Sequence, residues 1–329
     1  MRACALFKDT TVGEFRQVIK DVLRNVETVI LDKTEVVKAA ISAFLAGGHV
    51  LLEDVPGVAK TMLVRALAVS SGCSFTRIQC TPDLLPTDVT GVSVFNPDTR
   101  QFEFRKGPIF TQVVVADEIN RATPRTQSAL LEAMAEGQVS VDGRTYKLQA
   151  PFTVFATQNP VEHEGTFPLP EAQLDRFMMR LSIGYPNIIA EAQLLETTRL
   201  SHPIDALRMV TDAETIARMQ LSVREIFVHE KIRDYILRLV HRTRDSTHLT
   251  LGASPRAAMM LFRVAQAYAA VQGRGYAIPD DIKVLAGPVL LHRLILNPES
   301  RLRRVTAQSV LHDILQEVAV PAGRASWRE

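Results

Sequence analysis

Residues 49–68 read HVLLEDVPGVAKTMLVRALA, and the reading of this stretch decides the fold. A phosphate-binding loop of the form G-x-x-x-x-G-K-[ST] needs a buried strand, a turn whose backbone N–H groups face inward, and a helix that opens at the phosphates. The apolar run predicts the strand over Val50 to Glu53 and the helix over Thr61 to Ala68. Lys60 and Thr61 stand where the lysine reaching the terminal phosphates and the Mg²⁺-bound hydroxyl belong, but Asp54 and Ala59 occupy the two glycine positions. Gly57 is the one permissive residue left in the loop. Ala59 is tolerable if it takes right-handed helical angles with its methyl turned from the phosphates. Asp54 is placed to cap the N–H groups of the turn, although a carboxylate close to a phosphate repels it. By itself the stretch fits a plain strand–turn–helix as well as it fits a nucleotide cradle.

Two further stretches bear on the choice. Residues 111–137, TQVVVADEINRATPRTQSALLEAMAEG, hold a continuous apolar run, Val113 to Ala116, of the kind a parallel strand covered on both faces requires. It ends in Asp117 and Glu118, at the strand end where open α/β sheets form their ligand crevice. An acidic pair there suits nucleotide hydrolysis, Asp117 holding the Mg²⁺ shell and Glu118 orienting and deprotonating a water; a pair of exposed strand-end charges is the plainer alternative. Thr123 and Pro124 read as an N-cap and first helical residue, and Gly137 as the stop. Residues 152–183, FTVFATQNPVEHEGTFPLPEAQLDRFMMRLSI, predict a strand from Phe152 to Ala156 that ends in Thr157, Gln158 and Asn159, polar groups able to bind a water or a γ-phosphate. Asp175 and Arg176 precede another strand; Arg176 is either a surface charge or a fork of donors for transferring phosphoryl charge.

In order along the chain, EDVPGVAKT, ADEINRATPRTQSALLEAMAEGQV, FATQNPVEHEGTFPLPEAQLDRF and GASPRAAMMLFRVAQAYA resemble the motifs of the MoxR group of AAA+ ATPases, from about Gly47 to Leu296. Members of that group often carry Asp and Ala at the loop's glycine positions, so the resemblance implies a tolerated variant of the loop. It implies an α/β fold: a P-loop core with a parallel sheet sandwiched by helices and β-hairpin inserts, plus a C-terminal all-α lid. It implies ATP and Mg²⁺ as cofactors, with Pro56, Gly57, Val58, Ala59, Lys60, Thr61 and Met62 around the phosphates and Thr61 and Asp117 on the metal. Glu118 would activate water, Asn159 would be the first sensor of the γ-phosphate, Arg176 the arginine finger offered to a neighbouring subunit, and Arg256 the second sensor. A homo-oligomer, a ring of six, is implied, together with a client protein and a partner carrying a von Willebrand factor A domain. One departure stands out: the group has a Gly-Gln pair near the adenine where this chain has Asp32 and Lys33, leaving Val29 and Ile30 to supply an apolar wall.

Arg256 has an argument of its own. Ser254 is a natural N-cap and Pro255 a natural first helical residue, so Arg256 falls in a first turn, where its charge adds to the helix dipole at an anion; an arginine pointing into water satisfies the capping signals equally. Two hairpins are predicted, one around Asn96-Pro97-Asp98-Thr99 and one at Asp142-Gly143. They resemble inserts that project toward a central pore in the helix-2-insert clade. Phe95, Phe102 and Phe104 are read as cross-strand packing, with a grip on a client as the alternative. Past Pro186 the pattern turns helical. Ile232, Tyr235, Ile236, Leu239 and Val240 share one face, and PDDIKVLAGPVLLHRLIL reads as a helix pair broken at Gly287-Pro288. The domain boundary is set near Pro186: residues 1–185 form the core with an N-terminal helical segment, and 186–329 the lid.

Composition narrows the remaining classes. The 329 residues, 47% hydrophobic, suffice for one large or two ordinary domains. A net charge of +2 favours neither nucleic acid nor an anionic membrane as partner. Three cysteines (Cys4, Cys73 and Cys80) at no metal-ligand spacing suit a reducing cytosol, where they are idle or buried thiols. Eight scattered histidines give a zinc enzyme no support. No apolar run spans a bilayer and the N-terminus lacks a signal-peptide core, so a cytoplasmic protein with no membrane insertion is expected. The resulting reading is an ATP-hydrolysing ring that remodels a client protein. A chelatase-type motor for metal insertion and a nucleotide-dependent assembly scaffold remain alternatives, and the charge disfavours a DNA motor.

Overall fold

The computed structural model describes residues 3–160, 165–197 and 202–321, with side chains from Phe15 onward. The Cys4 side chain, residues 161–164 of the third stretch and residues 322–329 of the C-terminal segment lie outside the described residues.

Two helices, α1 (Ala3–Glu27) and α2 (Thr34–Leu45), lead into β1 (Val50–Glu53) and α3 (Lys60–Ser70). Next come β2 (Phe75–Gln79), the short α4 (Pro86–Thr90), the antiparallel pair β3 (Gly91–Asn96) and β4 (Gln101–Lys106), then β5 (Val113–Asp117) and α5 (Pro124–Glu136). A second antiparallel pair, β6 (Gln138–Val141) and β7 (Arg144–Lys147), precedes β8 (Thr153–Gln158), α6 (Glu171–Leu174) and β9 (Met179–Leu181). Five strands pair in parallel in the order β2-β5-β8-β1-β9.

Strand periodicity explains why this sheet needs helices on both faces. Successive side chains point to opposite sides, and here both sides are apolar. Val50, Leu52, Val113, Val115 and Phe155 join one core cluster with α2 and α3, whereas Leu51, Val114, Ala116, Val154 and Ala156 join the other, with Leu130, Leu131 and Met134 of α5. All four residues from Val113 to Ala116 are fully buried. Each valine so placed is worth roughly 1.5–2 kcal/mol of transfer free energy, which fixes the central strands as the most rigid platform available for a site at their C-terminal ends. Strand β8 opens one residue later than the predicted start at Phe152, which is half-buried outside it and meets the His49 ring edge-on at 5.8 Å.

Helix α5 is bounded as its sequence requires. Thr123 Oγ1 accepts the Thr126 N–H at 3.4 Å, Pro124 opens the first turn, and Gly137 closes the helix at φ 62°. In the first hairpin Asn96 pairs with Gln101, so the loop is residues 97–100, one position later than predicted. Asn96 Oδ1 accepts the Asp98 N–H at 2.9 Å, an Asx turn that lets the strand run through Asn96. At the hairpin's base Gly91 (φ 98°) and Gly107 let two backbones meet, since a Cβ on either would collide with the carbonyl oxygen of Arg105 or Val89. Phe104 stands opposite Ser93 and packs instead outside its own hairpin, stacked on Tyr146 of β7 at 4.2 Å. Phe95 and Phe102 form the expected cross-strand pair, directly opposite each other and edge-on at 5.4 Å, and are 50% and 71% exposed near the hairpin tip.

The remainder is mainly helical: α7 (Ile188–Thr197), α8 (Pro203–Ala206), α9 (Ala213–Val223) and α10 (Glu230–Arg244), then β10 (Leu249–Leu251) and α11 (Pro255–Val271), then α12 (Pro279–Leu290), β11 (Ile295–Leu296), α13 (Pro298–Leu302) and α14 (Ala307–Glu317). The predicted face of α10, with Ile232, Tyr235, Ile236, Leu239 and Val240, is buried throughout. The predicted break at Gly287-Pro288 is absent: α12 runs through both. Pro288 forgoes a bond to the carbonyl four residues back, that of Val284, whose side chain is 53% exposed. The buried stripe of Ile282, Leu285, Ala286, Val289 and Leu290 outweighs that one lost bond.

Candidate functional site

The site lies where β1, β5 and β8 end. From β1 the chain enters the loop at Asp54, turns through Gly57 (φ 85°) and reaches α3 through Ala59, whose φ of 62° and ψ of 26° are left-handed. The right-handed conformation expected for Ala59 is therefore wrong. Positive φ at two positions of one short turn is compatible with the kind of backbone in which N–H groups gather around an anion. Met62 and Val58 flank this turn as half-buried and buried residues of the same core cluster, while Pro56 and Gly57 form its tip.

Asp54 works differently from a cap of the whole turn. Its Oδ1 accepts only the Val55 N–H, at 3.0 Å. Its Oδ2 accepts from Ser182 Oγ and from the N–H groups of Ile183 and Gly184 at 2.9, 2.8 and 2.6 Å. Burial pushes this carboxyl up, but the hydrogen bonds from Gly184, Ser182, Val55 and Ile183 outweigh it and hold the group below the usual carboxylate range. The charge is spent on the segment after β9, which removes the objection of a carboxylate facing a phosphate. Lys60 Nζ donates to the carbonyl oxygens of Asp54 at 2.5 Å, Val55 at 3.3 Å and Gln158 at 3.4 Å, bridging the ends of β1 and β8.

Thr61 and Asp117 come together as the motif reading requires, Thr61 Oγ1 donating to Asp117 Oδ2 at 3.4 Å. A hydroxyl and a carboxylate are hard oxygen donors, the chemistry that suits Mg²⁺, so these residues fit that ion. Asp117 is braced on both oxygens. Thr157 Oγ1 donates to Oδ1 at 2.5 Å, and Arg77 contacts Oδ2 through Nε at 2.9 Å and NH2 at 2.7 Å. Thr157 Oγ1 also accepts the Glu118 N–H at 2.8 Å, with Glu118 in a left-handed conformation at φ 56°. Glu118 Oε2 accepts from Gln79 Nε2 and Arg121 NH1, each at 3.2 Å. Asn159, 5% exposed, follows the end of β8.

Thr157 is thus an orienting hub for the acidic pair rather than a direct ligand group, and Arg77, Gln79 and Arg121 are supports that the motifs did not identify. The alternation of Arg77 and Gln79 about the buried Ile78 in β2 was the available signal. Cys80, one residue on, is buried, and burial with the charges of Asp117 and Glu118 pushes its thiol up to about 12, so it stays protonated and inert.

The two distal arginines have partners elsewhere. Arg176 NH1 donates to the Leu131 carbonyl of α5 at 2.7 Å. Arg256 follows the predicted cap, Ser254 Oγ accepting the Ala257 N–H at 3.2 Å, and its NH1 lies 3.9 Å from Asp175 Oδ2. Asp175 also accepts from Ser254 Oγ at 3.0 Å and from the buried Arg293 at 2.7 Å. Arg293, 6% exposed, donates as well to the backbone carbonyls of Asp175, Phe177 and Val289, so one carboxylate ties the segment before β9 to α11 and the turn after α12.

Residues 49–179 match the model of the ATPase family associated with various cellular activities (AAA), and residues 241–314 match an AAA lid domain. YeaC of Bacillus subtilis (strain 168) is 50% identical over 306 residues, covering 93% of this chain and 96% of the relative. Chaperone MoxR1 of Mycobacterium tuberculosis (strain ATCC 25618 / H37Rv) is 39% identical over 305 residues, covering 90% and 80% respectively. The crystal structure of a Cytophaga hutchinsonii chain described as an ATPase superposes with a TM-score of 0.88 at 37% identity, covering 97% of this chain and 98% of that one.

The chain belongs to the MoxR family of AAA+ ATPases. The P-loop, acidic pair and polar strand end are the ATPase half of that fold, and the helices that follow are its lid. Between the halves lies a cleft of about 620 Å³, bounded by Val36 and Ala39 of α2, Asp54 and Val55 of the loop, and Val284 and Leu291 at the lid side. The apolar wall is Val36 and Ala39 with these lid residues; Val29 and Ile30 are buried in the core and do not line it. Asp32 and Lys33 brace the segment after β9, Asp32 Oδ2 accepting the Asn187 N–H at 3.3 Å and Lys33 Nζ donating to the Tyr185 carbonyl at 2.7 Å. Among the described residues no helix is long and apolar enough to cross a membrane.

Proposed function

We propose that this ATPase is a MoxR-type chaperone that forms a homo-oligomeric ring, six subunits in the family pattern, and uses ATP hydrolysis to remodel or activate a client protein alongside a von Willebrand factor A domain partner. The cleft between core and lid takes the nucleoside, and the turn from Pro56 to Met62 takes the phosphates. The single observation that carries the reading is the convergence of Thr61, in the first turn of α3, with Asp117, Glu118 and Thr157 at the ends of the adjacent parallel strands β5 and β8. Lys60 neutralises the terminal phosphates by exchanging its carbonyl partners for phosphate oxygens. Thr61 and Asp117 would hold Mg²⁺, which would supply charge neutralisation at the transferring phosphoryl group. Glu118, steered by Gln79 and Arg121, orients the attacking water and accepts its proton. Asn159 senses the γ-phosphate and Arg256 reports it to the lid, while Arg176 acts on the neighbouring subunit's site. The division into a core of residues 1–185 and a lid of 186–329 follows from the same reading. The similarity to Chaperone MoxR1 supports the chaperone assignment.

The test is a pair of substitutions. Lys60→Ala removes the charge at the phosphates, and calorimetry should register at least a hundredfold loss of ATP affinity; unchanged affinity would place the nucleotide elsewhere. Glu118→Gln should bind ATP as the natural chain does while cleaving it at least a hundredfold more slowly. A pull-down with this ATP-trapped chain should then retain the client, and recovery of a von Willebrand factor A domain protein is the expected outcome.

A further inference from the structure

Helix α7 buries one of its ten side chains, Ala190. Ile188, Ile189 and Leu195 are 82%, 76% and 74% exposed. At 3.6 residues per turn, Ile188, Ala192 and Leu195 fall in one stripe opposite Ala190, with Glu191 about 60° to one side and Glu196 about 80° to the other. The helix has no basic residue, and neither carboxylate has an ion-pair partner among the described residues. An isolated helix this short is not stable through its own backbone, and its apolar stripe needs a cover.

The same molecule carries the converse surface. On the lid a groove of about 430 Å³ runs between α10 and α11, floored by Ile236, Leu237, Met259 and Phe262. Leu237 and Met259 are 44% and 57% exposed. Arg224, Arg233 and Arg263 rim it, and α11 contains no acidic residue at all. Arg224 and Arg263 have no carboxylate in reach among the described residues, and Arg233 has only the equally exposed Asp234, at 3.8 Å.

We infer that α7 of one copy docks in the α10–α11 groove of the next, its apolar stripe on the groove floor and Glu191 and Glu196 against the arginine rim. The pairing deepens the ring reading and rests on it. It joins two different patches, so it is heterologous, and repetition closes a ring if the rotation allows. Apolar burial supplies the attraction and the charges fix register and direction.

Charge reversal in the full chain tests this, with Glu118→Gln and ATP present in every sample to favour assembly and sedimentation velocity as readout. Glu191→Arg with Glu196→Arg gives a chain whose α7 and groove are both positive; Arg233→Glu with Arg263→Glu gives one whose α7 and groove are both negative. Each alone should need at least tenfold more protein for half-assembly, because like charges face each other. Mixed in equal amounts they should assemble near the original concentration, since every contact is again complementary. All four positions are exposed, and unchanged thermal unfolding checks that the chains fold. If reversal leaves assembly unchanged while the unreversed chain forms rings, the interface is overturned and the ring stands; an acidic segment of a different protein as the groove's occupant would give that result. If the unreversed chain never assembles, the ring reading falls and this contact with it.

Discussion

Ala59 shows what one residue does for the site. Left-handed angles cost an L-residue about 1–2 kcal/mol, and at φ 62° Ala59 bears that cost because the turn into α3 needs it. Ala59→Gly removes the strain but gives the unfolded chain more freedom, so the net gain should be modest, up to about 1 kcal/mol. Urea unfolding should show a midpoint unchanged or raised, with ATP affinity retained; a lowered midpoint would mean that the methyl packs against something essential. His49 is a second residue-scale case. Its Nε2 faces the Met134 carbonyl at 2.8 Å and its Nδ1 accepts the Val154 N–H at 3.0 Å, which requires the neutral ring with the proton on Nε2. Burial takes its pKa from 6.5 down to about 4, against the pull of the Met134 carbonyl. The unfolded chain then binds the proton more readily, so the stability is fully present above pH 6.5 and is lost as pH falls toward 4, by about 3 kcal/mol. Urea midpoints of the natural chain and of His49→Gln should differ most at pH 7 and converge in acid; a difference constant with pH would place the titration on another group. The motif identified Lys60, Thr61 and Asp117 because their side-chain chemistry is tied to position. It missed the angles of Ala59 because a backbone conformation is set by what the turn must close around, which no residue name states.

At the scale of elements, the strands and caps were legible because their signals are local: a short continuous apolar run, Thr123-Pro124 and Gly137 each act within one strand or one turn. The run of α12 through Pro288 was not, because the lost hydrogen bond is local while the compensating stripe is buried against other helices. The first hairpin divides the same way. Phe104 stacks on Tyr146 of the second hairpin and meets Phe110 at 5.7 Å, whereas the ring that Phe102 meets among the described residues is its cross-strand partner Phe95. Phe104→Ala should therefore cost about 2 kcal/mol, less than a fully buried phenylalanine, and Phe102→Ala about 0.5 kcal/mol or less. Chemical denaturation of the two variants checks the contrast; equal losses would show that the tip is covered in solution.

For the whole molecule, the question is whether one subunit's site is completed by another in the proposed ring. The sequence placed Arg176 after a polar strand end but could not show that Asp175 beside it is the meeting point of Ser254, Arg256 and Arg293, since those residues are about eighty to 118 positions away. Arg293 is buried and pairs with Asp175, so the segment bearing Arg176 is tied to the lid helices as well as, through the Leu131 carbonyl, to α5. An arginine finger supplied by a neighbour is worth about 10³ to 10⁵ in rate in well-studied phosphoryl-transfer systems. Arg176→Ala chains should therefore bind ATP yet turn it over at least a hundredfold more slowly by themselves. Lys60→Ala chains should not use ATP, but on the shared-site reading they should still present Arg176 to the next subunit. Mixed under conditions that exchange subunits, the two inactive chains should regain activity at each interface that pairs an intact pocket with an intact finger, and the gain should rise with protein concentration because it requires mixed assemblies. Exchange itself is followed by fluorescence transfer between labelled chains. With exchange demonstrated, an absence of recovered ATPase activity would mean that Arg176 serves its own subunit, keeping its bond to the Leu131 carbonyl as a structural strut, and the shared-site mechanism would have to give way to one complete within a single chain.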